Sequence, residues 1–131
     1  MIGLDTNVLV RYLTQDDPVQ APLATRLIES LTPEAPGFVA HAVLAETVWV
    51  LESCYAADAD RIAQVAETLL RVESLVVDEA DVVWQALRQF KRAGGNFADA
   101  LVSALARRAG CETIYSFDRG AAKRFDMTLL Q

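Results

Sequence analysis

The sequence predicts an α/β fold in which a parallel sheet lies between two layers of helices. Short apolar runs alternate with amphipathic segments along all 131 residues, and this alternation is typical of strands joined by crossover helices. The length fits one domain of residues 1–131, and contents of 53% hydrophobic and 23% charged residues are globular values. We therefore expect a single folded domain with its own core rather than a disordered chain.

The first half of the chain is predicted to begin with a strand that leads directly into a helix. Ile2 to Asp5 is apolar up to its last residue, and Asp5 is suited to cap a helix over Asn7 to Leu13. A second helix is expected after Asp16-Asp17-Pro18, because proline suits the first helical turn. The other elements of this half are a strand over Phe38 to Ala40, a helix over about Ala42 to Tyr55, and a helix from Asp58 or Asp60 to about Val72.

The second half repeats this alternation. Leu75 to Val77 is predicted to form a strand, and Asp78 to cap a helix over Glu79 to Arg92. Gly94-Gly95 is expected to end that helix, and Asn96 to cap the next one. The remaining elements are a helix end at Gly110, a strand over Thr113 to Ser116, a turn at Asp118-Arg119-Gly120 into a short helix, and a strand over Met127 to Leu130.

Hydropathy and cysteine usage predict a reduced, soluble, cytoplasmic protein. Glu46 interrupts the most apolar run, Phe38 to Leu51, so no segment reaches the roughly 20 apolar residues of a membrane span. The first residues lack the basic and long apolar regions of a secretory signal. Cys54 and Cys111 are too far apart for a C-x-x-C site, and two cysteines make no disulfide framework.

Charge is distributed unevenly along the chain. The formal net charge of −6 argues against simple electrostatic coating of nucleic acid. Residues 1–87 hold 14 of the 18 acidic residues, whereas residues 88–131 hold 8 of the 12 basic ones. The basic residues of the second segment form three groups, Arg88/Lys91/Arg92, Arg107/Arg108 and Arg119/Lys123/Arg124. Each group is either a solvated helix face or part of a rim that binds phosphate, and the sequence leaves both interpretations open.

Four acidic residues occupy positions where surface charge is not expected. Asp5 and Asp118 each follow a predicted strand, and Asp99 opens an apolar helical stretch. Glu46 lies in the most apolar stretch of the chain, Ala42 to Leu51, so we expect its helix to be buried on nearly all sides. Because the carboxyl ends of parallel strands share one edge of the sheet, these four carboxylates are expected to meet in one pocket.

Each of these residues also has a structural explanation. Asp5 is placed to cap a helix, Asp99 to favour a helix dipole, and Asp118 to form a turn. Glu46 is the hardest to explain in this way, because its helix offers no basic partner for a buried carboxylate. The sequence therefore leaves a structural role open for each of the four residues taken alone, least readily for Glu46, and a shared site accounts for all four together.

A shared carboxylate site requires a counter-charge. Two carboxylates about 4 Å apart repel by roughly 4 kcal/mol at an effective dielectric constant near 20, and protonation or a bound cation relieves that repulsion. Oxygen ligands suit Mg²⁺ or Mn²⁺, and the chain has no cluster of His or Cys that would favour zinc. The single histidine, His41, excludes a mechanism that uses two histidines, and a structural role is expected for it. A site of this kind is suited to phosphodiester hydrolysis.

The acidic residues lie in segments that resemble the motifs of the PIN domain. These segments are Leu4-Asp5-Thr6-Asn7-Val8-Leu9, Leu44-Ala45-Glu46, Phe97-Ala98-Asp99-Ala100-Leu101 and Ser116-Phe117-Asp118-Arg119. The resemblance covers nearly the whole chain and is greatest to VapC-type toxins of toxin–antitoxin pairs. It implies a three-layer sandwich with a five-stranded parallel sheet of order 3-2-1-4-5, and a Mg²⁺- or Mn²⁺-dependent endoribonuclease.

The resemblance also implies roles for particular residues. Asp5, Glu46, Asp99 and Asp118 match the acidic positions of the family, with Asp5 and Asp99 as metal ligands. Thr6, Asn7 and Ser116 match polar positions that orient the carboxylates or water. His41 stands where the family often has Ser or Thr, which leaves the cap of the Glu46 helix in question.

Partners are likewise implied by the resemblance, which predicts an RNA substrate, a homodimer and a small antitoxin protein that blocks the cleft. Arg92, Arg119 and Lys123 are candidates for a rim that binds RNA. An apolar helix face such as Ala21 to Leu31 is a candidate for the antitoxin groove or for the core. Trp49 and Trp84 have core spacing, with base stacking as the alternative.

Two other functions remain open at this point. A receiver domain is also a small, acidic, Mg²⁺-binding α/β domain, but it has an acidic pair after the first strand and a late lysine. Here Thr6-Asn7 follows Asp5, and the late position has Ser116-Phe117-Asp118. A non-catalytic binding module that keeps the same fold is the second alternative, and the four intact acidic positions argue against it.

Overall fold

The computed structural model describes residues 1–131 and contains seven helices and five short strands. In chain order the elements are β1 (Ile2–Gly3), α1 (Thr6–Thr14), α2 (Gln20–Glu29), β2 (Gly37–Val39), α3 (His41–Tyr55), α4 (Ala59–Arg71), β3 (Leu75–Val77), α5 (Ala80–Ala93), α6 (Phe97–Arg108), β4 (Tyr115–Ser116), α7 (Arg119–Arg124) and β5 (Thr128–Leu129). Every predicted strand and helix is present, and the boundaries differ from the predictions by a few residues at most. The α/β class is confirmed.

All strand pairs are parallel, and they form two separate ladders. One ladder has the order β1-β2-β3, with Ile2 opposite Gly37 and Gly37 opposite Leu75, and the other pairs β4 with β5. The implied order 3-2-1-4-5 is therefore present in its two parts, 3-2-1 and 4-5. No backbone pairing joins β1 to β4, so the sheet is not one continuous five-stranded unit.

One cluster of 22 buried residues forms the core, and helices α3, α4, α5 and α6 contribute most of it. α4 and α5 have strongly amphipathic sequences, which explains why each buries one face and exposes charged residues on the other. Phe90 of α5 meets Phe97 of α6 edge to face, with ring centroids 5.6 Å apart. This contact holds the first turn of α6 against α5.

Four helices begin at a side-chain cap; the sequence predicts three of these caps, and the fourth, at Asp118, was expected only as a turn residue. Asp5, Asp58, Asn96 and Asp118 each accept a hydrogen bond from a backbone N–H of the helix that follows. The N-cap position of α3 is Ala40, which makes no side-chain capping bond, in line with the departure noted at His41. None of the helices has the length and apolar character that crossing a membrane requires.

Two local predictions were wrong. Asp78 does not cap α5, because Glu79 occupies that position in a left-handed conformation, with φ of 52°. Asp78 instead places Oδ2 3.0 Å from Nδ1 of His41.

The second wrong prediction concerns Trp49, which is not in the core. Its surface is 62% exposed, whereas Trp84 is half-buried beneath the guanidinium of Arg71. Helical spacing alone did not show which side of α3 faces solvent.

Candidate active site

Asp5 and Glu46 line one cleft between the start of α1 and the middle of α3. Asp5 follows β1, and its Oδ1 accepts a hydrogen bond of 2.8 Å from the backbone N–H of Thr6, so one carboxylate oxygen caps α1. Glu46 lies in the second turn of α3. The cleft has a volume of about 350 Å³, and its lining residues are Asp5, Thr6, Asn7, Val10, Arg11, Glu46, Val50, Cys54 and Tyr55.

Asp99 and Asp118 form a second acidic pair at the starts of α6 and α7. The backbone N–H of Asp99 donates to Oδ1 of Asn96 at 3.1 Å, which places Asp99 in the first turn of α6. Oδ1 of Asp118 accepts from the backbone N–H of Ala121 at 2.9 Å and so caps α7. Burial, and then the negative charge of Asp118, raise the pKa of the Asp99 carboxyl above its ordinary value. The two side chains are therefore electrostatically coupled.

None of the four carboxylates has an ion-pair partner. The ion pairs of the molecule use other acidic residues: Asp16, Glu67, Glu79, Asp81 and Asp126. Asp5 and Asp118 each use one oxygen as a helix cap, and the side chains of Glu46 and Asp99 accept no hydrogen bond. The site thus collects negative charge that the protein itself does not neutralise.

The expected burial of Glu46 was wrong. Glu46 is exposed, and so are Ala42 and Trp49 on the same side of α3, while Leu44, Thr47, Val48 and Leu51 of the opposite side are buried. The exposed side opens onto the cleft and solvent, although two of its three residues are apolar. The apolar composition of the stretch therefore hid a functional face, and the reason to single out Glu46 becomes its position on the cleft rather than its burial.

The predicted supporting residues lie beside the carboxylates. The Thr6 hydroxyl is buried and has no hydrogen-bond partner, and Asn7 lines the same cleft as Asp5. Ser116 Oγ accepts a hydrogen bond of 3.0 Å from the backbone N–H of Asp118 and so fixes the turn that carries that carboxylate. Buried polar groups normally have a hydrogen-bond partner, so the unpaired Thr6 hydroxyl beside Asp5 is an exception.

The donor set suits a hard cation, although no three ligands are gathered in advance. No group of three His, Cys, Asp or Glu side chains is close enough to hold a metal ion. We therefore describe the four carboxylates as two acidic pairs rather than as the expected single pocket. Mg²⁺ keeps several waters and takes only one or two carboxylates directly, so one carboxylate from each pair is a sufficient direct ligand set. The unneutralised carboxylate oxygens and the orphaned Thr6 hydroxyl fit such an ion.

Two basic residues near the site were not among the predicted site residues. Arg11 lines the cleft of Asp5 and Glu46, with its Nε donating to Gln20 and its Nη1 3.7 Å from Asp16. Arg124 lines a cavity of about 570 Å³ together with the predicted Arg119 and Lys123. Arg11 follows Asn7 by one helical turn, which is the sequence signal that would have revealed it. The predicted Arg92 does not line this cavity and donates to Gln89 instead.

Comparisons with known proteins show which family and which proteins the chain resembles. The family model described as the PIN domain matches residues 2–126. A VapC ribonuclease of Aquifex aeolicus (strain VF5) is 29% identical over 117 residues, which are 88% of this chain and 86% of that protein. The crystal structure of the Mycobacterium tuberculosis VapC20 toxin, described as cleaving the sarcin-ricin loop, has 24% identity and a TM-score of 0.48, covering 94% of each chain.

Proposed function

Because this chain belongs to the PIN domain family, we propose that it is an endoribonuclease, a hydrolase of RNA phosphodiester bonds that depends on Mg²⁺ or Mn²⁺. We propose further that it is the VapC-type toxin of a type II toxin–antitoxin pair and that residues 1–131 are a single PIN-like nuclease domain. The observation that carries the proposal is the set of four carboxylates at strand and helix ends, none of which has an ion-pair partner.

The choice of chemistry follows from that uncompensated charge. A phosphodiester is itself anionic and is repelled by a bare carboxylate cluster, so a cation must accompany it. When bound, Mg²⁺ supplies charge neutralisation of the scissile phosphate and activation of a water molecule. In the proposal Asp5 and Asp99 hold the ion directly, and Glu46 and Asp118 orient water around it. Thr6, Asn7 and Ser116 hold these carboxylates and waters in place.

The choice of RNA over DNA depends on relatives. The curated relative that covers 88% of this chain is named a VapC ribonuclease, and the motifs around the acidic residues resemble that class. We therefore propose RNA as the substrate on the strength of the likeness, with Arg92, Arg119 and Lys123 as the basic rim.

A small antitoxin protein and a homodimer complete the proposal. The groove between α1 and α2 has a volume of about 270 Å³, and Leu23 and Leu27 on its wall are exposed. An exposed apolar groove beside the Asp5 end of α1 is a suitable surface for a helical partner. A basic side chain of that partner would replace the metal as the counter-charge of the carboxylates. We propose the cytoplasm as the location.

The proposed function is tested by sequencing RNA ends after brief expression of the protein. Wild type should produce new RNA ends within minutes, and Asp5→Ala expressed at the same level should not. Asp60→Asn, which changes an exposed aspartate in the first turn of α4, serves as the matched control and should act like wild type. Equal RNA ends from wild type and Asp5→Ala would contradict the proposal. A neighbouring small open reading frame whose product suppresses the effect would support the antitoxin assignment.

A further inference from the structure

The side chain of Arg124 lies in a gap that two glycines leave open. A Cβ atom added at Gly95 would lie 2.6 Å from Cδ of Arg124, and Gly95 has φ of +83°, a conformation that other residues rarely adopt. A Cβ atom added at Gly120 would lie 2.8 Å from Nη1 of Arg124 and 3.2 Å from Oδ1 of Asp118. The guanidinium therefore passes close to both glycines, and its tip lies near the Asp118 carboxylate.

The backbone that carries Arg124 is fixed to the two neighbouring helices. Nε2 of Gln89 in α5 donates to the carbonyl oxygen of Arg124 at 2.9 Å. The hydroxyl of Ser103 in α6 donates to the carbonyl oxygen of Phe125 at 3.0 Å, and this bond is buried. Since α6 also carries Asp99, these bonds place Arg124 at a defined position relative to Asp99 and Asp118.

The cavity beside Arg124 is a local concentration of positive charge on an acidic protein. Arg119 and Lys123 line it with Arg124, and no acidic residue does. None of the three forms an ion pair, although Asp118 is close to Arg124. Three unpaired cations held around one cavity repel one another, and a bound anion relieves that repulsion.

We propose that this cavity binds a backbone phosphate of the RNA next to the bond that is cut, with Arg124 as its central phosphate-binding residue. The guanidinium suits this role because its planar N–H groups pair with two phosphate oxygens at once. Arg119 and Lys123 contribute the other positive charges that line the cavity. This inference depends on the proposed function, because it places the phosphate beside the Asp99 and Asp118 pair of the same site.

The cavity is tested by RNA binding in the presence of a chelator, where cleavage does not occur. A fluorescein-labelled single-stranded RNA is titrated with wild type, Arg124→Gln and Arg26→Gln, and fluorescence anisotropy is measured over a range of salt concentrations. Arg26→Gln is the matched control, because Arg26 is an exposed arginine of α2 without an ion pair. Each phosphate contact with single-stranded nucleic acid contributes about 0.7 to the slope of log K against log salt.

Arg124→Gln should reduce the slope by about 0.7 and weaken binding about fivefold at 0.1 M salt, whereas Arg26→Gln should match wild type. Gly120→Ala provides a second test that keeps every charge. Its methyl group displaces the flexible tip of Arg124, so binding should weaken, while the melting temperature should hold or rise because alanine favours the helix. The same methyl group also approaches the carboxylate of Asp118. This does not affect the interpretation of the test, because RNA binding in chelator does not require catalysis by Asp118.

The results separate this inference from the proposed function. If wild type cleaves RNA in Mg²⁺ but Arg124→Gln binds with the wild-type salt slope, the phosphate cavity is wrong and the nuclease assignment stands. A folded Gly120→Ala with unchanged binding contradicts the cavity in the same way. If wild type neither binds nor cleaves RNA, both the inference and the proposed function fail.

Discussion

Asp99 and Asp118 begin two different helices, yet they are coupled across the gap between them. Burial, and then the charge of Asp118, raise the pKa of the Asp99 carboxyl above its ordinary value. Neither side chain forms an ion pair, although the tip of Arg124 lies near Asp118. A pair of like charges kept without a counter-ion lowers the stability of the fold, which is typical of functional sites.

This coupling predicts that Asp99→Asn stabilises the metal-free protein at neutral pH. The folded-state pKa of Asp99 is raised, so its ionised form destabilises the folded state above that pKa, and the penalty disappears as the pH falls toward the unfolded value of about 3.9. The melting temperature of Asp99→Asn in chelator should exceed that of wild type at pH 7, and the two should converge in acid. Asp60→Asn should show no gain, and a lower melting temperature of Asp99→Asn at pH 7 would contradict the account.

Addition of Mg²⁺ or Mn²⁺ should stabilise wild type and have less effect on variants of the site. An ion that binds only the folded state raises the melting temperature in proportion to the logarithm of its concentration above Kd. The shift should be greatly reduced in Asp5→Asn and in Asp99→Asn, and unchanged in Asp60→Asn. This measurement needs no substrate. Equal shifts in all four proteins would show that the ion binds elsewhere.

Glu46→Gln should reduce RNA cleavage while changing stability by less than about 0.5 kcal/mol. The residue is exposed and makes no hydrogen bond, so its carboxylate has no structural partner to lose. Cleavage by purified protein should fall by about 10- to 100-fold, as when groups that orient a metal site are removed. Glu29→Gln, on the exposed side of α2, is the control and should retain activity. A large loss of stability in Glu46→Gln would instead indicate a structural role.

The two tryptophans should differ in what they contribute to stability. Trp49 is 62% exposed, so Trp49→Ala should change the free energy of unfolding by less than about 0.5 kcal/mol. Trp84 is half-buried and packs under Arg71 with the guanidinium carbon 5.1 Å from its ring centroid, so Trp84→Ala should cost about 1–2 kcal/mol. Urea denaturation followed by circular dichroism measures both values. A larger loss for Trp49→Ala would contradict the observed orientation of α3.

Local sequence rules predicted most of the fold. The predicted helix caps at Asp5, Asp58 and Asn96 depend on the chain within three residues of each position, and all three are present. The implied continuous five-stranded sheet is not present, because β1 does not pair with β4. Such a pairing depends on where the whole molecule places two-residue strands. Motif spacing identifies strands and caps, but it does not fix such a long-range register.

The sequence singled out the acidic residues of the candidate site but did not predict their arrangement. The acidic residues were recognisable because each stands at an element boundary or in an apolar stretch, and they lie at the cleft and at the Asp99–Asp118 pair. Their division into two pairs was not predictable, since it depends on how α1 and α3 sit relative to α6 and α7. Arg124 was grouped with Arg119 and Lys123 as a basic cluster, but its position at the cavity was not predictable, because it depends on Gly95 and Gly120, which meet it only in the folded chain.

Cleavage should not require the 2′-hydroxyl of the scissile nucleotide. Hydrolysis by an activated water uses an external nucleophile, so an RNA with one 2′-deoxy nucleotide at the cut position should still be cleaved at a comparable rate. Gel analysis of the end-labelled strand and its unmodified counterpart measures the two rates. Complete loss of cleavage with unchanged binding would indicate attack by the neighbouring hydroxyl and a different mechanism.

The most direct measurement is RNA cleavage by purified protein with Mg²⁺ and with excess chelator, for wild type, Asp5→Ala and Asp99→Ala. We predict cleavage by wild type in Mg²⁺, no cleavage in chelator, and rates reduced by more than about 100-fold in both variants. Circular dichroism of each variant confirms folding. Equal cleavage in chelator, or wild-type rates in both variants, would show that these carboxylates are not the centre of a metal-dependent nuclease.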